Sequence, residues 1–157
     1  MIKYLGSKRS LVPALGKIAS ASGATTGVDL FTGTTRVAQE FKRQGLFVTA
    51  NDIASYSEVL AQTYIALDAA SVDMDELDDI LDELNHLPGR RGYFTETFCE
   101  KSRYFQPANG MKIDAIRDAI EVDYGSSWMR PVLLTSLMQA ADKVDSTTGV
   151  QMAYLKK

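Results

Sequence analysis

The segment Gly27-Val-Asp-Leu-Phe-Thr-Gly-Thr-Thr-Arg-Val37 constrains the fold more than any other stretch of the chain. A short apolar run ends in an acid, an aromatic and a glycine-containing turn, and a helical pattern follows at once. Strand, turn and helix in that order open a doubly wound α/β sheet, in which ligands bind beyond the carboxyl ends of the strands. Gly33 lets the backbone approach a ligand closely, and Asp29 puts a carboxylate at the strand end. The second and third glycines of a G-x-G-x-x-G fingerprint are missing, which argues against a pyrophosphate cofactor. Taken alone, the pattern also fits a tight strand-to-helix turn without a ligand.

The pattern around this segment predicts a helix over 7–19 with Leu11, Leu15 and Ile18 on one face, and a loop over 19–27. Strands are predicted over 27–31 and 46–50, and helices over 35–44, closed by Gly45, and over 55–69. In the last of these Val59, Leu60, Tyr64 and Leu67 point inward. Beyond it the chain turns helical. An acidic amphipathic helix over 72–84 carries Leu77, Ile80, Leu81 and Leu84 and is broken by Pro88 and Gly89. Further helices are predicted over 113–122 and 128–144, the latter with Val132, Leu133, Leu137, Met138 and Ala141 on one side. The expected division is 1–70 as an α/β part and 71–157 as a helical part. Two parallel strands alone make an unstable sheet, so further strands are expected from elsewhere.

With 157 residues, the chain has room for one domain's core. A single cysteine, Cys99, excludes an internal disulfide, and with a single histidine, His86, it leaves too few ligands for a zinc site. No apolar run approaches a membrane span and the start has no signal-peptide core, so a cytoplasmic location without membrane partners is expected. The net charge of −3 is segregated. Residues 71–86 carry seven acids and no Lys or Arg, whereas residues 90–117 carry six basic and three acidic groups. That basic stretch is either solvated surface or a local face for a polyanion.

Two more segments carry candidate chemistry. Asp52, in Ala50-Asn51-Asp52, lies 19 residues after Gly33, where a carboxylate can accept ribose hydroxyls; equally, an Asp there can cap the next helix. Lys3-Tyr4-Leu5-Gly6-Ser7-Lys8 sets two lysines, an aromatic and a glycine before a helix start, which suits an anionic group or a plain N-cap at Ser7.

In that order, Lys-Tyr-Leu-Gly-Ser-Lys, Asp-Leu-Phe-Thr-Gly and Asn-Asp resemble the adenine-specific DNA methyltransferases related to the Dam enzyme. The resemblance continues through Gly92-Tyr-Phe-Thr-Glu-Thr-Phe-Cys-Glu-Lys-Ser-Arg-Tyr-Phe-Gln106, Asp114-Ala-Ile-Arg-Asp118 and the run from Ala141 to Leu155, and so covers nearly the whole chain. It implies a partial Rossmann-like S-adenosylmethionine methyltransferase fold with a helical insert. It implies that Tyr4 stacks near the cofactor and Lys8 meets its carboxylate end. Asp29, Phe31 and Gly33 would shape the pocket floor, and Asp52 would take the ribose hydroxyls. For the insert it implies double-stranded DNA as partner, with Arg90, Arg91, Lys101, Arg103, Lys112 and Arg117 as phosphate contacts. The polar loop of Ser146 and Thr147 would lie near DNA or a flipped base, or serve as an ordinary connector. Tyr93, Phe94, Phe98, Tyr104 and Phe105 fit either core packing or the DNA face.

One departure bears on mechanism. The family's catalytic tetrapeptide is Asp-Pro-Pro-Tyr or a close variant, whereas the prolines here stand at 13, 88, 107 and 131, none adjacent. In the family the target adenine is flipped out of the duplex and its amine attacks the methyl carbon directly. The groups that orient that amine are not in this sequence, so no catalytic residue is assigned. The expectation is part of an adenine-N6 methyltransferase, inactive alone and assembling as a homodimer or with a complementary C-terminal methyltransferase polypeptide. The alternatives are a non-catalytic DNA- or protein-binding remnant of that fold, and a different methyltransferase or nucleotide binder sharing the glycine turn.

Overall fold

The computed structural model describes residues 8–147. Residues 8–68 form one compact unit and residues 69–147 another.

The first unit is built on strands β1 (Thr26–Asp29) and β2 (Phe47–Ala50), paired in parallel with Thr26 beside Phe47 and Asp29 beside Ala50. Helix α2 (Arg36–Arg43) packs on both strands, α1 (Val12–Ser22) packs on α2, and α3 (Ser55–Ala61) follows β2. A small parallel sheet within a mixed helical fold is what an α/β reading requires at that level.

Helix α1 departs from the expected packing. Leu11 and Ile18 are exposed, and the buried face is Gly16 and Ala19. Small residues there let α1 lie close against α2; a Cβ on Gly16 would stand 2.2 Å from Glu40 Oε1. The apolar strands are not fully buried. Val28 is 57 % and Phe47 77 % exposed, and Leu30 and Phe31 fall outside β1 as exposed residues. Among the described residues the sheet therefore keeps apolar surface in water. Helix α3 changes at Gln62 into a π-helical turn, Gln62–Ala66. Lys42 on α2 holds that end, donating to the carbonyls of Ile65 (2.8 Å), Leu67 (3.0 Å) and Tyr64 (3.4 Å).

Ser57 on α3 is fully buried, and its Oγ has no hydrogen-bond partner among the described residues. A buried unsatisfied hydroxyl costs about 1 kcal/mol or more. Ser57→Ala is therefore expected to raise the stability of the 8–68 unit by about 1 kcal/mol, read by urea titration; a loss of stability would show that the hydroxyl is satisfied in solution.

The second unit consists of α4 (Met74–His86), a π-helical segment (Thr95–Lys101), α5 (Pro107–Tyr124) and α6 (Arg130–Val144). Asp73 caps α4 through the amides of Asp75 and Glu76, and Leu77, Ile80 and Leu84 form its buried stripe as the spacing predicts. Helix α5 begins at Pro107, well before the expected start, because proline is favoured in a helix's first turn. The core between α5 and α6 is Ile113, Ile116, Ile120, Val132 and Leu133. Among the described residues no helix is long and apolar enough to cross a membrane.

Candidate functional site

The carboxyl ends of β1 and β2 are tied together by a continuous hydrogen-bond circuit. The Asn51 amide donates to the Asp29 carbonyl (2.9 Å), the Thr32 amide donates to the Asn51 carbonyl (3.0 Å), and Asn51 Nδ2 donates to the Leu30 carbonyl (3.0 Å). The Gly33 amide donates to Asp52 Oδ2 at 2.8 Å, and the Ala54 amide donates to Asp52 Oδ1 at 3.0 Å. The turn after β1 needs two left-handed residues, Gly33 at φ 50° and Thr35 at φ 61°. Gly33 adopts this readily. Thr35 does so at a cost, but it is fully buried, with its hydroxyl between the Thr34 carbonyl (2.7 Å) and Gln39 Nε2 (2.8 Å).

Asp29 is 5 % exposed. Its Oδ2 accepts from Thr32 Oγ1 (3.1 Å) and from the Ala38 amide in the first turn of α2 (3.2 Å). Its Oδ1 pairs with Lys8 Nζ at 3.3 Å, and Lys8 also donates to the Phe31 carbonyl at 2.7 Å. Asp29 thus anchors the turn to the start of α2, where a carboxylate also complements the helix dipole. Asp52 is half-buried. The amides of Ala54 and Gly33 hold its carboxyl below the usual carboxylate range, helped by the Ile53 amide and the Lys8 charge against a smaller opposing effect of desolvation. It is ionised at neutral pH, and each oxygen keeps a lone pair for a further donor.

A cavity of about 750 Å³ runs beside β2 and α3. Thr32, Asn51, Asp52 and Ile53 are among the residues that line it, with Leu46, Val48, Ala61 and Ile65 among its apolar walls. Of the residues predicted for the cofactor, Asp52 lines this cavity. Lys8, Asp29 and Gly33 are joined to it or to one another by the circuit above, and Phe31 presents an exposed ring. Tyr4 lies outside the described residues. Two contributors escaped the sequence reading: Ile53, an isoleucine fully exposed beside the key acid, and Thr32, which braces Asp29. An apolar residue directly after the acid at a strand end was the available signal for Ile53.

In the second unit most predicted phosphate contacts already have partners. Arg90 pairs with Asp118, Arg91 forms two 2.8 Å bonds to Glu100, and Lys101 meets Glu96 at 2.7 Å. Lys112 donates to the carbonyls of Asn85 and Leu87 and so closes the end of α4. Arg103 and Arg117 are exposed. Ser146 and Thr147 are buried, the Ser146 amide donating to the Tyr104 carbonyl (2.7 Å) beside a bridge of Phe105 with Asp145.

Residues 4–157 match the family described as D12 class N6 adenine-specific DNA methyltransferase. The chain belongs to that family. It is similar to Type II methyltransferase M.NlaIII of Neisseria lactamica, with 34 % identity over 99 % of this chain and 49 % of that protein. Type II methyltransferase M.CviAII of Paramecium bursaria Chlorella virus 1 is 30 % identical over 99 % of this chain and 50 % of its own length. Modification methylase StsI of Streptococcus sanguinis is 28 % identical over 99 % of the chain and 26 % of its own length. The D12 chain thus spans about half the length of the first two relatives. No solved structure matches it.

Proposed function

We propose that this D12 chain is the cofactor-holding and DNA-contacting part of an enzyme that methylates adenine N6 in double-stranded DNA, in a restriction–modification setting in the cytoplasm. The observation that carries the reading is the Gly33–Asp52 bond, which brings the glycine turn and the acid to one place at the ends of two parallel strands. This supports a Rossmann-like arrangement with S-adenosylmethionine as cofactor, whose sulfonium supplies the methyl group. The residues fit it. Asp52 accepts ribose hydroxyls with its remaining lone pairs, Ile53 offers an apolar surface to the adenine ring, and the Gly33 turn leaves the backbone bare. Lys8, held by Asp29 and the Phe31 carbonyl, sets a positive charge for the cofactor's carboxylate.

In this reading residues 1–70 hold the cofactor and 71–157 form the DNA-facing insert. The polypeptide that carries the Asp-Pro-Pro-Tyr tetrapeptide orients the adenine amine. The exposed Val28, Phe31 and Phe47 support its assembly against a complementary C-terminal polypeptide or a second copy. Calorimetry on the chain is expected to show S-adenosylmethionine binding. Incubation with labelled cofactor and unmethylated DNA is expected to show no N6-methyladenine until a polypeptide bearing the tetrapeptide is added. Absence of heat at millimolar cofactor would sink the cofactor assignment, and methylation by the chain alone would sink the need for the tetrapeptide.

A further inference from the structure

Tyr93 occupies an unusual setting. It is 66 % exposed, yet the backbone amides on both sides of it are hydrogen-bonded to a buried carboxylate. Asp114 on α5 is 4 % exposed and accepts from the amides of Gly92 (3.0 Å), Phe94 (2.9 Å) and Thr95 (2.8 Å), and from Thr95 Oγ1 (2.6 Å). The amides on both sides of Tyr93 are therefore pinned to one buried carboxylate. Gly92 fits against that carboxylate so closely that a Cβ there would lie 2.8 Å from it.

The Tyr93 ring stands edge-on to Phe98 (6.2 Å, 84°), Phe98 packs on Phe94 (4.9 Å), and Phe94 packs on Phe105 (5.0 Å). The stack draws the start of the π-helical segment beside the chain that leaves it. There Arg103 takes a left-handed backbone at φ 59° and is exposed. Arg91 and Lys101 of the same segment are paired with Glu100 and Glu96, while Arg103 makes no ion pair among the described residues. An exposed aromatic ring and an exposed guanidinium, the latter without an ion pair among the described residues, thus belong to one chain segment braced by the Phe94, Phe98 and Phe105 rings. That pairing suits a nucleobase and its phosphate: the ring offers a stacking surface and the guanidinium a phosphate contact. Holding the turn rigid beforehand lowers the ordering cost of binding.

We infer that Tyr93 stacks on a nucleobase of the bound DNA while Arg103 meets a neighbouring phosphate, so that the 92–105 segment is a preformed base-stacking element. This rests on the DNA reading above and deepens it. Flipping the target adenine breaks stacking in the duplex, and an aromatic surface at the opened step recovers part of it.

The test is fluorescence anisotropy of the full chain with a labelled, unmethylated DNA duplex across a salt series. Tyr93→Ala and Tyr93→Leu are expected to weaken binding about tenfold or more at every salt concentration, since base–aromatic stacking contributes about 1–3 kcal/mol. Their salt dependence should stay that of the unaltered chain, and Tyr93→Phe should bind nearly normally. Arg103→Gln should instead lower the salt slope by about one. Trp128 fluorescence during unfolding controls for folding, and the Leu variant keeps apolar packing on Phe98 should the Ala variant unfold. Normal binding by a folded Tyr93→Leu protein would overturn the inference and leave the DNA reading intact; it would turn attention to a protein partner for the same surface. Failure of the unaltered chain to bind the duplex would overturn both.

Discussion

Asp114→Ala is expected to lower the stability of the 69–147 unit by about 3 kcal/mol, because it strands four donors around one buried site. Trp128, the chain's single tryptophan, lies between α5 and α6, so its fluorescence during urea unfolding reports on this unit. Asp114→Asn should recover part of the loss, since its amide oxygen can take the three donors that meet Oδ2 while its amide nitrogen is a donor turned toward the Phe94 amide. The pH dependence has a definite sign. Burial pushes the Asp114 carboxyl up, but the Thr95 hydroxyl and the amides of Thr95, Phe94 and Gly92 outweigh it and leave the group below its usual 3.8. A carboxyl with a lowered folded pKa contributes its full stability above the unfolded value and loses it as pH falls through the folded one. The gap between the unaltered chain and Asp114→Asn should thus be constant at neutral pH and close in strong acid. A gap that persists in strong acid, or a cost under about 1 kcal/mol, would show that the turn is held by the aromatic stack instead.

The second large effect is expected at Asp52. As the acceptor of the ribose hydroxyls, Asp52 should be costly to lose: Asp52→Ala should weaken S-adenosylmethionine binding about tenfold or more, because hydrogen bonds to an ionised carboxylate are stronger than neutral ones. Asp52→Asn should fall in between, because it keeps one acceptor oxygen and the shape of the loop. The backbone amides that hold the Asp52 carboxyl below its usual 3.8 keep it ionised through mildly acid conditions. Affinity should therefore be flat from neutral pH down to about 5 and decline in stronger acid. A decline centred near pH 6 would point to another titrating group. Equal affinity of Asp52→Ala and the unaltered chain would leave Asp52 as a loop brace between Gly33 and Ala54.

The elements that carry the candidate site were legible because their signals are local. The run Gly27-Val-Asp-Leu-Phe-Thr-Gly announces a strand, a turn with positive φ and a helix within eleven residues of Val37, and Asp52 stands at the next strand end. Leu77, Ile80 and Leu84 announce α4 by spacing alone, whereas the cap at Asp73, inside the expected helix, appears only in the structure.

Other features depend on which surfaces meet, and local pattern carries no record of that. Leu11 and Ile18 look like a buried stripe, but the contact between α1 and α2 is made by Gly16, whose missing side chain admits the neighbouring helix. The π-helical segment Thr95–Lys101 has no periodicity of its own; it forms around Asp114, nineteen residues after Thr95. Arg90, Arg91, Lys101 and Lys112 read as a basic face, but folding brings each to a carboxylate or a helix-end carbonyl. Asp52 shows both sides of the division. Its residue type and spacing announced either a ligand or a cap, and only the meeting of two strand ends gave its second oxygen the Gly33 amide. Composition and spacing decide which elements can form, because they act within a few turns of chain. Burial, pairing and the choice between candidate roles arise from contacts between residues far apart in sequence, so they exist only once the chain has folded.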